Sequence, residues 1–137
     1  MKSWIDPVVD LAEQAGQEIL KVYASDFEVQ GKGDGSPLTQ ADMASHHCII
    51  DGLSKLTPLL PIISEEDGLP EFDVRRHWDK YWLIDPLDGT KEFVNRNGEF
   101  TVNIALIDNG IPVLGVVHVP VQGKTYIGCR GFGAERR

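Results

Sequence analysis

Apolar residues recur at helical spacing near the start of the chain. Asp6 and Pro7 are typical of an N-cap and a first helical residue, so we expect the first helix to begin there. This helix should cover residues 7 to 23, with the following residues turned inward: Val8, Leu11, Ala15, Ile19 and Val22. A loop rich in glycine, serine and proline follows. A second helix is predicted from about Thr39 to Leu56, and Pro58 should end it.

The later part of the chain carries short apolar and alternating segments. "LPIIS" and "YWLI" predict two buried strands, which end in "EEDG" and "DPLDGT". "EFTVNIALI" alternates, with Thr101 and Asn103 on the opposite side from its apolar residues, and Asn109-Gly110 indicates a hairpin turn. "PVLGVVHV" and "TYIGC" should follow as strands. We therefore predict an α+β fold, with two N-terminal helices packed on one face of a mostly antiparallel sheet.

Composition excludes several classes of protein. The chain has 137 residues, 42% of them hydrophobic and 25% charged, which is typical of one globular domain. A net charge of -8 argues against a general nucleic-acid surface. The longest apolar stretch, "IPVLGVVHVPV", is shorter than the roughly 20 residues of a membrane helix, so we expect no transmembrane segment. Cys48 and Cys129 are expected to be reduced thiols in a cytoplasmic protein.

Acidic residues cluster where two predicted strands end. Glu65, Glu66 and Asp67 follow one strand, and Asp85 and Asp88 follow the other. Several carboxylates cannot converge as bare anions, because like charges would force some of them to protonate. Mg²⁺ prefers hard oxygen ligands, and it binds through carboxylates and substrate phosphate. Asp85 is placed to bridge two metal ions, with Asp88 and the carbonyl between the two aspartates each facing one ion.

The residues after Asp88 are suited to an anion. Gly89 permits close approach to the backbone, and a short helix from Thr90 to about Asn95 would point N–H groups at a phosphate. The Thr90 hydroxyl would then orient an attacking water. Two metal ions about 4 Å apart are a familiar arrangement for phosphoester hydrolysis. An acidic protein would thereby accept an anionic substrate.

Each feature also has a plain explanation when it is taken alone. The pair Asp88-Gly89 is more often part of a turn than a metal ligand, and "EED" is more often a solvated acidic loop than a binding site. Asp42 lies three residues after Thr39, so it fits a capping-box-like role as well as a functional one. His46 and His47 are interpreted as ordinary helix residues, because no third ligand stands at metal spacing.

Taken together, three segments resemble a known superfamily. "GSPLTQAD", "ISEED" and "WLIDPLDGTKEFVNRNGEFTVNIALI" are similar to the lithium-sensitive, magnesium-dependent phosphatases. That superfamily contains inositol monophosphatases, fructose-1,6-bisphosphatases and 3′(2′),5′-bisphosphate nucleotidases. The extension "GTKEFVNRNGEFTVNIAL" looks most like the CysQ-type bisphosphate nucleotidases.

The resemblance implies a ligand set for two metal ions. Glu65 and Asp85, with the carbonyl of Leu87, resemble the ligands of the first metal. Asp85 and Asp88 resemble those of the second metal. Glu66 resembles the second acidic residue that lies beside the site in this superfamily.

The resemblance also implies catalytic and substrate-binding roles. Asp42 resembles the acid that helps a third magnesium ion and the attacking water, and Thr90 resembles its hydroxyl partner. The backbone at Gly89 and Thr90 resembles the phosphate-binding segment. Lys32 matches a loop lysine near the metals.

The function implied is Mg²⁺-dependent hydrolysis of the 3′-phosphate of adenosine 3′,5′-bisphosphate or of its sulfated form, a small-molecule substrate. Two alternatives remain. The substrate could be an inositol phosphate, or the chain could be a truncated, non-catalytic fragment that binds metal. A haloacid-dehalogenase-like phosphatase is disfavoured, because it needs Asp-x-Asp spacing. The expected location is the cytoplasm, with peripheral attachment at the inner face of the cell membrane as a variant. The sequence leaves the oligomeric state open.

The resemblance also implies how the chain is organised. Superfamily members continue into a second α/β domain with a Trp-Asp motif, whereas this chain ends at "GFGAERR" and its Trp78-Asp79 precedes the "DPLDGT" strand. We therefore expect residues 1–137 to be an N-terminal metal- and phosphate-binding domain without the C-terminal domain. Alone, this domain should fold incompletely and hydrolyse phosphate esters poorly.

Overall fold

Two long helices come first in the chain. The computed structural model describes residues 2–24, 36–64 and 77–137. A short 3-10 turn precedes helix α1, Ile5–Tyr23, and helix α2 spans Pro37–Leu56. The buried stripe of α1 contains these residues: Ile5, Val8, Val9, Ala12, Ala15, Gly16 and Ile19. The predicted inward residues Val8, Ala15 and Ile19 belong to this stripe, whereas Leu11 and Val22 are only half-buried.

The start of α1 differs from the sequence-based prediction. Trp4 is the N-cap residue and makes no side-chain capping bond, so the assignment of Asp6 as N-cap is wrong. The 3-10 turn before Ile5 shifts the helix start towards the N-terminus. Asp6 lies in the first turn instead, where a carboxylate is favoured by the helix dipole. It also accepts a hydrogen bond of 2.8 Å from the guanidinium of Arg137.

The start of α2 is also earlier than predicted. Ser36 is the N-cap, and its hydroxyl oxygen accepts a 3.1 Å hydrogen bond from the backbone N–H of Thr39. Pro37 occupies the first helical position, where a missing N–H costs nothing. Asp42 therefore lies beyond the first turn, which excludes the capping-box-like role that the sequence had left open.

In the described ranges, a six-stranded sheet forms the second layer. Its strands are the following: β1 Ile62–Ser64, β2 Lys80–Asp88, β3 Thr101–Asp108, β4 Ile111–Val119, β5 Lys124–Cys129 and β6 Gly133–Arg136. They lie side by side in chain order; β1 and β2 are parallel, and the other neighbours are antiparallel. Asn109 and Gly110 both have positive φ, as the predicted hairpin turn requires. The predicted α+β class is confirmed, whereas β6 was not anticipated.

Both long helices cover the same face of the sheet. α2 contacts β2, and α1 contacts β3 and β4. Sheet residues that belong to one buried cluster with the helices include the following: Trp82, Ile84, Val102, Ile104, Leu106, Leu114, Val116 and Ile127. The opposite face, called the open face below, carries Leu83, Val117 and Tyr126, which are 41%, 37% and 43% exposed. No helix in the described ranges is both long and apolar enough to cross a membrane.

Candidate functional site

A β-bulge brings Asp85 and Asp88 to the same side of the sheet. Asp85 pairs with Asn103 and Asp88 pairs with Thr101, so three steps along β2 match two steps along β3. In a regular strand, residues three apart point to opposite faces. The extra residue of a bulge returns the second side chain to the face of the first. Both carboxylates therefore lie on the open face, although their spacing in the sequence alone would separate them.

A buried hydroxyl from α2 holds the bulge. The Ser45 hydroxyl donates a 2.7 Å hydrogen bond to the carbonyl of Pro86, and Ser45 has no exposed surface. The side chain of Leu87 is also buried. The segment that connects the two aspartates is thus fixed against the helix layer. Sequence analysis missed Ser45, because its partner is 41 residues away.

The adjacent residue of α2 holds the end of β1. Nδ1 of His46 lies 2.8 Å from the hydroxyl of Ser64, and both side chains are buried. Ser64 is the last described residue of β1, and it pairs with Ile84, directly before Asp85. His46 is therefore more than an ordinary helix residue, because it ties α2 to the strand that precedes the acidic segment.

Gly89 and Thr90 begin the short helix α3, Thr90–Val94, directly after Asp88. Gly89 has a φ of +92°, and a Cβ there would lie 3.3 Å from Cα of Phe100. Only glycine adopts this conformation at little cost in a site so crowded. Phe93 is fully buried and its ring centroid lies 5.4 Å from that of Phe100. This aromatic contact anchors α3 next to the two aspartates.

Asp42 belongs to the buried face of α2. It is 2% exposed and stands one turn before Ser45, which binds the bulge. α2 also contacts α3. Asp42 therefore lies on the side of α2 that faces the segment from Asp85 to Thr90.

The open face adds a polar side chain that was not predicted as part of the site. The side-chain amide of Asn103 donates a 3.0 Å hydrogen bond to Oδ2 of Asp88. The Thr101 hydroxyl donates to Oδ1 of the same asparagine, also at 3.0 Å. The alternation of "EFTVNIALI" already put Thr101 and Asn103 on its polar side, so the sequence contained a signal for this contact.

Some predicted site residues lie outside the described ranges. They are Lys32, Glu65 and Glu66, together with Asp67. Within residues 2–24, 36–64 and 77–137, no three His, Cys, Asp or Glu side chains form a group that could hold a metal ion. The described part of the site therefore supplies the two carboxylates of Asp85 and Asp88 as candidate ligands, while the predicted ligand Glu65 is untested.

Both cysteines have free thiols, and neither lies in the site. Burial raises the pKa of the Cys48 thiol, and the negative charges of Glu18 and Asp51 raise it further. The neutral thiol is therefore favoured, which makes Cys48 a poor nucleophile and a poor metal ligand.

Comparison with known proteins identifies the family. The chain matches the inositol monophosphatase family over residues 1–137 and belongs to it. The 3′(2′),5′-bisphosphate nucleotidase CysQ of Escherichia coli (strain K12) is 55% identical over 129 residues, which are 93% of this chain and 52% of that protein. These findings confirm the resemblance drawn from the motifs. Members of the family are metal-dependent phosphatases.

Solved structures agree with this assignment. The crystal structure of CysQ from Bacteroides thetaiotaomicron has a TM-score of 0.87 at 46% identity and covers 98% of this chain and 49% of that one. The inositol monophosphatase from Anabaena (Nostoc) sp. PCC 7120 has a TM-score of 0.80 at 29% identity, with 98% and 47% covered. The chain spans about half the length of the curated relatives that it matches.

Proposed function

We propose that residues 1–137 form the metal- and phosphate-binding domain of a Mg²⁺-dependent phosphomonoesterase. Its substrate would be adenosine 3′,5′-bisphosphate or the sulfated form, and the reaction would be hydrolysis of the 3′-phosphate. The observation that carries the proposal is the bulge, which sets Asp85 and Asp88 side by side next to Gly89 and Thr90. The likeness to CysQ nucleotidases supports the choice of substrate.

The proposed metal ligands are Asp85, Asp88, the carbonyl of Leu87 and Glu65. Glu65 is covalently joined to Ser64, whose partner across the parallel ladder immediately precedes Asp85. These hard oxygen ligands suit Mg²⁺. Bound Mg²⁺ would neutralise the phosphate charge and favour deprotonation of an attacking water. Glu66 would be the second acid beside this site.

The remaining residues would bind phosphate and place the water. The backbone of Gly89 and Thr90 would hold the phosphate oxygens, with Lys32 as a nearby positive charge. The Thr90 hydroxyl, with Asp42 as the buried acceptor, would orient the water for attack. Asp42 is suited to this role because its helix packs against both β2 and α3.

Two observations favour a nucleotide over an inositol phosphate. Identity is 55% and 46% to CysQ proteins, against 29% to the Anabaena inositol monophosphatase. The extension after "DPLDGT" also follows the nucleotidase pattern. An inositol phosphate remains the second candidate, since that enzyme shares the fold. The proposed compartment is the cytoplasm, where free thiols such as these persist.

The test is a phosphate-release assay with adenosine 3′,5′-bisphosphate and inositol 1-phosphate, each with Mg²⁺ alone and with added lithium. We expect release by residues 1–137 to be slow, but faster from the nucleotide than from inositol 1-phosphate, inhibited by lithium and lost in Asp85→Asn. Faster release from inositol 1-phosphate would contradict the substrate. Metal binding without any release would favour the non-catalytic alternative for this chain.

A further inference from the structure

Asn103 lies between the two aspartates on the open face of the sheet. Its backbone pairs with Asp85, and its side-chain nitrogen reaches diagonally to Oδ2 of Asp88 at 3.0 Å. Diagonal neighbours on one face of an antiparallel pair are within reach of long side chains. Asn103 is therefore in direct contact with one candidate metal ligand and beside the other.

The orientation of the Asn103 amide is determined by its partners. The carboxylate of Asp88 only accepts hydrogen bonds, so the amide nitrogen must face it. The amide oxygen then faces Thr101, whose hydroxyl donates to it at 3.0 Å. The two hydrogen bonds thus run in one direction, from Thr101 to Asn103 and from Asn103 to Asp88.

We propose that Asn103 is a positioning residue for the metal site of the proposed function, and that Thr101 fixes it. The Asn103 amide holds one oxygen of Asp88 and leaves the other oxygen to bind the ion. Because the amide is uncharged, it orients the carboxylate without the repulsion that a lysine or arginine would exert on a cation. This inference rests on the proposed function, since Asp88 must be a ligand.

The principle behind the proposal is general for metal sites. Outer partners that bind ligating carboxylates orient them, and removal of such a partner typically lowers metal affinity about 10- to 100-fold. We expect Asn103→Leu, which is similar in size but has no amide, to weaken Mn²⁺ binding within this range. Thr101→Val should weaken Mn²⁺ binding less, because the hydrogen bond from Asn103 to Asp88 remains.

The experiment measures Mn²⁺ affinity of the full chain by electron paramagnetic resonance, with circular dichroism as a check on folding. Val117→Ala is the matched control, because Val117 pairs with Asn103 on the same face and has no polar group. Its Mn²⁺ affinity should equal that of the wild type. A residue that only stabilised the sheet would change the melting temperature and not the affinity.

The outcomes separate this inference from the proposed function. Equal Mn²⁺ affinity in folded Asn103→Leu and wild type would overturn the role of Asn103 and leave the metal site intact. A wild type that binds no Mn²⁺ would overturn both. If Asn103→Leu fails to fold, two other measurements test the proposal: the Mn²⁺ affinity of Thr101→Val, and the side-chain amide resonance of Asn103 in an NMR spectrum. That resonance should shift in metal-free Asp88→Ala, and an unchanged resonance would overturn the contact.

Discussion

Asp85 is the residue on which the proposed metal site depends most, because it alone would contact both ions. Asp85→Asn keeps the shape of the side chain and removes its charge. We expect Mn²⁺ affinity to fall by more than the roughly 100-fold upper value for loss of an outer partner. Titration of Mn²⁺ into both forms measures this. Asp10→Asn, an exposed substitution on α1, is the control, and equal affinity in Asp85→Asn would rule out the bridging role.

Thr90 is expected to act on the water and not on the metal. Thr90→Val should leave Mn²⁺ affinity unchanged, because the hydroxyl is not a proposed metal ligand. It should lower kcat for phosphate release by about 10²- to 10⁴-fold, the usual contribution of positioned proton transfer, because the hydroxyl would link the water to the acceptor Asp42. Thr90→Ser retains the hydroxyl and should retain most of the rate. Steady-state kinetics with saturating Mg²⁺ measure the effect. Full turnover in the valine variant would remove Thr90 from the mechanism.

At the scale of single residues, the two acids could be predicted from the sequence, but the side chains that hold them in place could not. "DPLDGT" indicated Asp85 and Asp88 because two acids, a proline and a glycine follow the apolar run "YWLI". The structure extends strand β2 through Asp88, so the expectation that both acids follow the strand was wrong. Ser45 and Asn103 contact this segment from 41 and 15 residues away. The alternation of "EFTVNIALI" placed Asn103 on the polar side of its strand, but no local pattern paired either residue with the aspartates. Only the fold shows that a serine in a helix and an asparagine in a strand belong to one site.

The element that supports the site is α2. Ser45→Ala should leave the buried Pro86 carbonyl without its donor, which costs about 1–3 kcal/mol in the free energy of unfolding. It should also weaken Mn²⁺ binding, because the bulge that aligns the aspartates loses its attachment. Urea denaturation measures the first effect. Ser54→Ala, on an exposed position of the same helix, should change neither quantity, and a similar loss there would contradict this role for Ser45.

The packing of α1 on β4 makes stability depend on pH. His118 lies against Gly16 and bonds to Thr125, and burial lowers the pKa of its imidazole from 6.5, although the charge of Glu13 opposes this. Between the lowered value and 6.5, the unfolded chain binds a proton that the folded chain does not. The free energy of unfolding should therefore fall as the pH drops through about 6.5.

Urea denaturation at about pH 7.5 and about pH 5.5, on either side of the ordinary histidine pKa, measures this change. His118→Gln should reduce the loss of stability at the lower pH. His47→Gln, at an exposed position, should leave it as in the wild type. The same loss in His118→Gln as in the wild type would assign the pH dependence to other groups.

The predictions for elements succeeded where periodicity is strong. Both long helices, the hairpin at Asn109 and the strands of the meander appeared as expected. The helix starts were misplaced because the 3-10 turn before α1 and the Ser36 cap are decided by one or two residues. Strand β6 was missed because Gly133–Arg136 shows no apolar alternation and is formed by pairing with β5. The bulge was also not anticipated, although two acids three residues apart in one strand share a face only if the strand contains a bulge.

The described residues form two layers, and both long helices lie on the same face of the sheet. The order of helices before strands predicted this layering, and the family assignment agrees with it. The acidic site lies on the open face, beside apolar residues. One groove there is lined by Leu83, Asp85, Asn103 and Val117 among others. Charge and apolar surface therefore meet at the site, which distinguishes this face from the one under the helices.

The open face should make residues 1–137 associate when they are produced alone. Leu83 on β2, Val117 on β4 and Tyr126 on β5 are each more than a third exposed on this face, and exposed apolar surface favours contact between molecules. Sedimentation velocity over a range of concentrations should show association, which Tyr126→Glu should weaken. Leu59→Glu adds the same charge at an exposed leucine outside the sheet, 94% exposed, and should leave association unchanged. A monomer at every concentration, or equal effects of both substitutions, would show that this face does not drive association.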